Sequence, residues 1–408
     1  MHRVRDITLA PSGERKLSWA YNRMRVLRSL FDEVKNEKPL KGLKVGMALH
    51  LEAKTAILAT FIQNLGAEVS ITSSNPLTTQ DDVAAALAKK VSHVYAWRGE
   101  TEEEYFDNIR RVLDDSPDII VDDGADLIVE AHKRGYRAIG ATEETTTGIR
   151  RIKALKREGK LLFPVIAVND AKGKYQFDNR FGSGQSVIDG IMRSTNIMLG
   201  GKEVVVIGYG WVGKGVALRA RGMGARVTIV EVDPFRALEA YFDGYKVTDM
   251  NEASEYGDIF ITCTGNIKVI TKKHFEKMKD GAILCNAGHF DVEVDVKGLK
   301  EEAVSYEEVR PNVLEFRMRN GKRLFLLAQG RLVNIAAADG HPIEIMDLSF
   351  SLQFTSILYL AEHRDLSPDI YPVPEDLDRK VVTKFLELNH VKLERLTEEQ
   401  VRYLEEWR

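Results

Sequence analysis

Three glycines, Gly208, Gly210 and Gly213, stand in a G-x-G-x-x-G pattern directly after the apolar run at residues 204–207, and Trp211 and Val212 open the helical stretch that follows. A strand, turn and helix of this kind set backbone N–H groups and the positive end of a helix dipole against a dinucleotide pyrophosphate. The first glycine makes the turn, the second lets phosphate approach the backbone, and the third lets the helix pack on the strand. A second β-branched run, residues 226–230, ends at Glu231, about 20 residues past the glycines. An acid there accepts from both ribose hydroxyls and repels a 2′-phosphate, so NAD is expected rather than NADP.

Polar residues recur where strands end, the place at which open α/β sheets bind ligands. His50 and Glu52 follow the first apolar run, Asp122 and Asp123 the fourth, Asn169 and Asp170 the fifth, and Asn286 and His289 a run in the second half. Each alone also suits a helix cap or turn. Their recurrence in both halves fits one substrate reached from two sides. Lys174 and Asp178, four residues apart, could form an ion pair; in a closed cleft the lysine could instead have a lowered pKa and take a proton. The run Thr145, Thr146, Thr147 is a helix start or a ligand contact, and His341 a turn residue or a ligand contact.

Among the elements that must position these groups, residues 14–38 carry Leu17, Ala20, Met24, Leu27, Leu30, Phe31 and Val34 at helical spacing and are expected to form one amphipathic helix ended by Pro39. Apolar runs at 43–49, 67–72, 93–97, 118–121 and 163–168 alternate with helical stretches, which implies a parallel sheet covered on both faces. A second set runs through 203–207, 226–231, 258–263, 282–286 and 323–327. The fold class expected is α/β, with two doubly wound parallel-sheet domains. Residues 1–183 begin a substrate domain, 184–340 form the dinucleotide domain, 341–385 return to the first, and 386–408 are a short helical segment.

At 408 residues, with 44% hydrophobic and 29% charged residues and a net charge of −3, the chain suits two or three domains and offers no electrostatic case for nucleic acid or an anionic membrane. Its two cysteines, Cys263 and Cys285, lie in apolar runs, which argues against a disulfide framework and for a reducing compartment. No signal peptide or membrane span is evident, and a cytoplasmic protein is expected.

In their order along the chain, the stretches at 73–81, 95–101, 143–148, 177–179, 208–215, 286–290, 330–334 and 340–342 resemble the S-adenosyl-L-homocysteine hydrolase family over essentially the whole length. The resemblance implies a homotetramer with tightly held NAD, acting on a nucleoside thioether, with no metal. The ribose 3′ carbon is oxidised, the 4′ hydrogen becomes acidic, homocysteine leaves by β-elimination, water adds at the 5′ carbon and the hydride returns. It implies that Lys174 takes the 3′-hydroxyl proton, that Asp178 and Glu144 hold the ribose and the lysine, and that Asp123 is the 4′ acid/base. His50 and His289 handle the thiol and the water, Thr55 and His341 touch substrate, and Thr145, Thr146, Thr147, Asn179, Glu231, Asn266, Ala287, Gly288, His289, Asn334 and His341 hold NAD beside Gly208, Gly210, Trp211, Val212 and Gly213.

Two departures stand out. Common animal members have threonine and glutamate where this chain has Glu52 and Lys54, and an apolar residue where it has Asp339. Glutamate accepts from the adenine amine, whereas lysine can only donate, so S-inosyl-L-homocysteine is expected as an accepted or preferred substrate, unless Glu52 assumes the lost contact. The animal type also covers its neighbour's NAD with a C-terminal arm bearing lysine and tyrosine, whereas this sequence ends at Trp407-Arg408, which leaves open how NAD is closed off in trans. A two-domain NAD-dependent dehydrogenase with net redox turnover is the competing enzyme reading, and an NAD-sensing regulator the non-enzymatic one.

Overall fold

The computed structural model describes residues 2–407. The strands are β1 (Lys44–Ala48), β2 (Glu68–Thr72), β3 (His93–Tyr95), β4 (Ile119–Asp122), β5 (Gly140–Glu143), β6 (Val165–Ala167), β7 (Glu203–Ile207), β8 (Arg226–Val230), β9 (Lys246–Thr248), β10 (Ile259–Thr262), β11 (Ala282–Asn286), β12 (Ala303–Arg310), β13 (Val313–Met318), β14 (Arg323–Leu327) and β15 (Ile370–Pro372). They build a seven-stranded sheet in the order β15-β6-β5-β4-β1-β2-β3 and an eight-stranded sheet in the order β12-β13-β14-β11-β10-β7-β8-β9. The first is parallel throughout. Its central strands β4 and β5 are buried at every position, as strands covered on both faces must be.

The second sheet is parallel from β9 to β14 but ends in an antiparallel meander of β12, β13 and β14. Sequence reasoning gave β14 a place and missed β12 and β13, because β12 is a charged edge strand with residues 304–310 exposed. Charge on an edge strand blunts further pairing. The short strands β5, β9 and β15 were also missed, so Asn169 and Asp170 follow the sixth strand of the first sheet, not the fifth. The helix expected over 14–38 is two helices, Ala10–Arg23 and Arg25–Val34. At the break, Asp347 accepts from the backbone N–H groups of Val26 and Leu27, both at 2.8 Å. A buried carboxylate thus supplies the N-terminal cap that the local sequence lacks.

That carboxylate belongs to the Ile343–Glu362 helix, which is buried along most of its length. Leu348, Phe350, Leu352, Phe354 and Ile357 place it in the core of the first sheet. The chain therefore returns to its first half after completing the second sheet. Where it first crosses, the Ser183–Thr195 helix lies against the Trp211–Gly222 helix. A Cβ on Gly184 would stand 2.5 Å from the Gly215 carbonyl carbon, and one on Gly215 would stand 1.7 Å from the Arg180 carbonyl oxygen. Backbone packs on backbone at this crossing. Both cysteines are free, and among the described residues no helix is long and apolar enough to cross a membrane.

Candidate active site

One cavity of about 280 Å³ opens between the carboxyl ends of the two sheets. Its wall includes His50, Glu52, Lys54, Thr55, Asp123, Glu144, Lys174, Asp178, Asn179, His289 and His341, with Thr145, Thr146, Thr147, Gly210, Trp211, Val212, Ala287, Gly288 and Asn334 at the dinucleotide end. Gly208, Gly213, Glu231 and Asn266 are not in that wall. The first three act from behind it: a Cβ on Gly213 would stand 1.9 Å from the Gly208 carbonyl oxygen, and Glu231 Oε2 accepts from the Tyr209 N–H at 2.6 Å. Asn266 is exposed and folds onto the following amide, while Thr264 and Gly265 face the cavity instead.

Lys174, from the short Lys172–Tyr175 helix, is buried against two carboxylates. Its Nζ lies 3.2 Å from Asp178 Oδ2 and 3.5 Å from Glu144 Oε1, and donates to Asn179 Oδ1 at 2.8 Å. Burial alone would lower this lysine, but Asp178 and Glu144 outweigh it and hold it at about 12. Of the two readings of Lys174, the ion pair with Asp178 is present, and the lowered pKa is corrected: two facing carboxylates favour the ammonium. Asp178 is pushed up by burial, yet His341 and Lys174 together hold it well below the usual carboxylate range. Burial raises Glu144, which Lys174 opposes. Ser349 donates to Glu144 Oε1, and Gln353 donates to Oε2 at 2.6 Å. Neither residue was anticipated, because nothing in the Ile343–Glu362 helix marks two polar side chains one turn apart as facing a distant glutamate.

Asp123 stands between two imidazoles. Its oxygens are 3.5 Å from His50 Nε2 and 3.6 Å from His289 Nδ1, and Oδ1 is buried without a hydrogen-bond partner. Burial lowers His50 to about 4, against the pull of Asp123, so its ring is neutral near pH 7. Thr78 Oγ1 pairs with His50 Nδ1 at 2.8 Å and leaves Nε2 facing Asp123. The ligand-type atoms of His50, Asp123 and His289 lie within 4.8 Å of one another, a spacing that would also accept a metal ion.

At the far end, Lys54 Nζ lies 2.7 Å from Glu52 Oε2 and donates to the Asp339 carbonyl at 3.1 Å. Glu52 caps the Ala53–Asn64 helix, accepting from the N–H groups of Lys54 and Thr55. Both its oxygens are thus engaged at the helix start. The Asp339 carboxylate is held by Arg193 at 2.8 Å, turned from the lysine.

The residues at the dinucleotide end fit NAD. A Cβ on Gly210 would meet only the tip of Arg236 at 3.6 Å, which leaves its backbone open to phosphate. Asn334 Oδ1 is buried without a partner. Thr145 caps the Thr146–Arg157 helix and also lines the cavity. His341 likewise precedes a helix and reaches the site, pairing with Asp178 and with Ser183 Oγ at 3.1 Å.

Two α/β sheets closing over a glycine turn and a ring of proton-transfer groups define a dinucleotide-dependent enzyme. Residues 1–139 match the family model described as S-adenosyl-L-homocysteine hydrolase, and residues 179–340 match its NAD binding domain. The chain belongs to the S-adenosyl-L-homocysteine hydrolase family. It is 57% identical to the S-inosyl-L-homocysteine hydrolase of Methanopyrus kandleri, across 99% of this chain and 97% of that one. It is 54% identical to the adenosylhomocysteinase of Thermococcus kodakarensis, with the same coverage, and to the S-inosyl-L-homocysteine hydrolase of Methanocaldococcus jannaschii, across 100% and 99%. A dipicolinate synthase from Bacillus halodurans shares the fold at 14% identity, with a TM-score of 0.50 over 79% of this chain and 99% of that one. NAD is the cofactor, and the reaction is NAD-dependent hydrolysis of a nucleoside thioether. The competing dehydrogenase reading is not favoured.

Proposed function

We propose that this enzyme hydrolyses S-inosyl-L-homocysteine in preference to the adenosyl compound. The observation that carries this is Lys54. An ammonium has three protons and no acceptor; Glu52 and the Asp339 carbonyl engage two, and the third is left for the base. Hypoxanthine offers a carbonyl oxygen there, whereas adenine offers an amine that would meet a donor. The test compares kcat/KM for the two thioethers. The inosyl compound is expected to lead by at least tenfold, roughly one unmatched polar contact, and a lead for the adenosyl compound contradicts the proposal.

In this reading bound NAD⁺ supplies the hydride acceptor that holds the ribose 3′ carbon as a ketone during the cycle, which acidifies the 4′ hydrogen. Lys174 meets the 3′ oxygen as an ammonium, so it takes the hydroxyl proton by passing one of its own to Glu144. Asp178 and His341 fix the lysine and the ribose. Asp123 removes and restores the 4′ proton. His50 and His289 act as a pair that gives one proton to the departing homocysteine sulfur and recovers one from the incoming water, so the pair ends as it began. Closure of the two halves would keep bulk water from these steps.

The reading also takes residues 1–183 with 341–385 as a substrate domain, 184–340 as the NAD domain and 386–408 as an appended segment, in a cytoplasmic homotetramer. Exposed apolar residues support assembly: Phe235 and Phe242 on the Pro234–Phe242 helix are 83% and 77% exposed, as a surface covered by another copy would be.

A further inference from the structure

Glu143 has no part in the chemistry above, yet it is fully buried at the end of β5, paired in register with Asp122 of β4. One oxygen, Oε1, accepts three hydrogen bonds: from the Gly124 N–H at 2.8 Å, the Thr145 N–H at 2.9 Å and the Thr145 hydroxyl at 2.7 Å. The other, Oε2, is buried without a partner. Gly124 follows the proposed 4′ acid/base Asp123 at φ +102°, and a Cβ on it would stand 2.3 Å from His289 Nε2. Thr145 heads the threonine run at the dinucleotide end, and its oxygen also accepts from Gly148 N–H at 3.1 Å. A Cβ on Gly148 would stand 2.1 Å from the Glu143 carboxyl carbon, so the helix start is fitted around this group.

We propose that Glu143 is a positioning residue: its Oε1 ties the turn of Asp123 to Thr145, fixing the proton acceptor and the dinucleotide contact at one separation. This rests on the roles proposed above for Asp123 and Thr145. Burial first, and then the charges of Asp122 and Asp123, push its carboxyl above the usual range, while the hydrogen bonds from Gly124 and Thr145 pull it back. A single acceptor oxygen serving two neighbouring strands makes the spacing rigid. Displacements of about 1 Å at such sites cost on the order of a hundredfold in rate.

The test uses purified holoenzyme and two readouts per NAD-loaded site: the rate of NAD loss, and exchange of the nucleoside 4′ hydrogen with solvent deuterium relative to reduction of bound NAD. Glu143→Leu keeps the volume and removes the acceptor. It is expected to lose NAD on the order of tenfold faster and to exchange the 4′ hydrogen roughly a hundredfold more slowly at a given extent of NAD reduction. Glu143→Gln keeps an acceptor oxygen at the same reach and is expected to retain NAD and exchange the 4′ hydrogen within a few-fold of the wild type. Should Glu143→Leu fail to fold, Glu143→Asp withdraws the group by one methylene and is expected to show the same split. Wild-type values per loaded site in Leu or Asp overturn the proposal, as does a Gln variant that behaves like Leu. Loss of 4′ exchange in the wild type itself would instead refute the role of Asp123.

Discussion

In the proposed reading base choice rests on the Lys54 ammonium, and one side chain tests it. Lys54→Met removes the donor and leaves the stem, so kcat/KM for the inosyl thioether is expected to fall about 10- to 100-fold, the cost of leaving a buried carbonyl unmatched. The adenosyl compound should change little. Equal losses for both would show that Lys54 only supports the helix start at Glu52. His50 gives a pH prediction. Its folded pKa of about 4 lies below the ordinary 6.5, so the unfolded chain binds the extra proton. The stability owed to neutral His50 is full above about 6.5 and is lost as pH falls through about 4. Denaturation midpoints of His50→Gln across that window should therefore fall less steeply than those of wild type; parallel curves would contradict the assignment. Residue types at strand ends identified His50, Glu52, Asp123, Asn169 and His289 of this wall, because ligands in α/β folds gather there; Lys54, Thr55, Glu144, Asn179 and Asn334 came only with the family resemblance. The spacing of Lys174 and Asp178 suggested their ion pair, but not that Glu144 meets the same lysine, since that contact is made in space.

At the scale of elements, the site is held by parts distant in sequence. The Ile343–Glu362 helix supplies Ser349 and Gln353 to Glu144 and Asp347 to the start of the Arg25–Val34 helix. Asp347→Ala is expected to cost about 1–2 kcal/mol, the range of a lost helix cap, measured by denaturant unfolding; an unchanged midpoint would show that the break at Met24 needs no such cap. Hydrophobic spacing found the residues of this helical pair but not the break, because the residue that caps the second helix lies over 300 positions later. The Trp211–Gly222 helix starts where expected, since the glycine pattern that starts it is local. The charged strand β12 was invisible to apolar periodicity for the opposite reason, being an edge that buries little.

Across the whole molecule, alternation of strands and helices made two α/β sheets legible, and the glycine turn told which one takes NAD. Strand order, the antiparallel β12 to β14 edge and the return of the Ile343–Glu362 helix to the first core are set by long-range packing and were not equally plain. Assembly makes its own prediction. Phe242→Asp puts a charge on the exposed apolar helix and is expected to shift a tetramer to smaller species in sedimentation; an unaltered mass would place the contact elsewhere. The central claim is that a retained dinucleotide makes an inert carbon–sulfur bond labile without net redox change. It is tested most directly by stripping NAD from the purified enzyme and following thioether formation from inosine and homocysteine. The account predicts that formation stops, returns when NAD is restored and releases no net NADH, whereas undiminished formation by the stripped enzyme would contradict it.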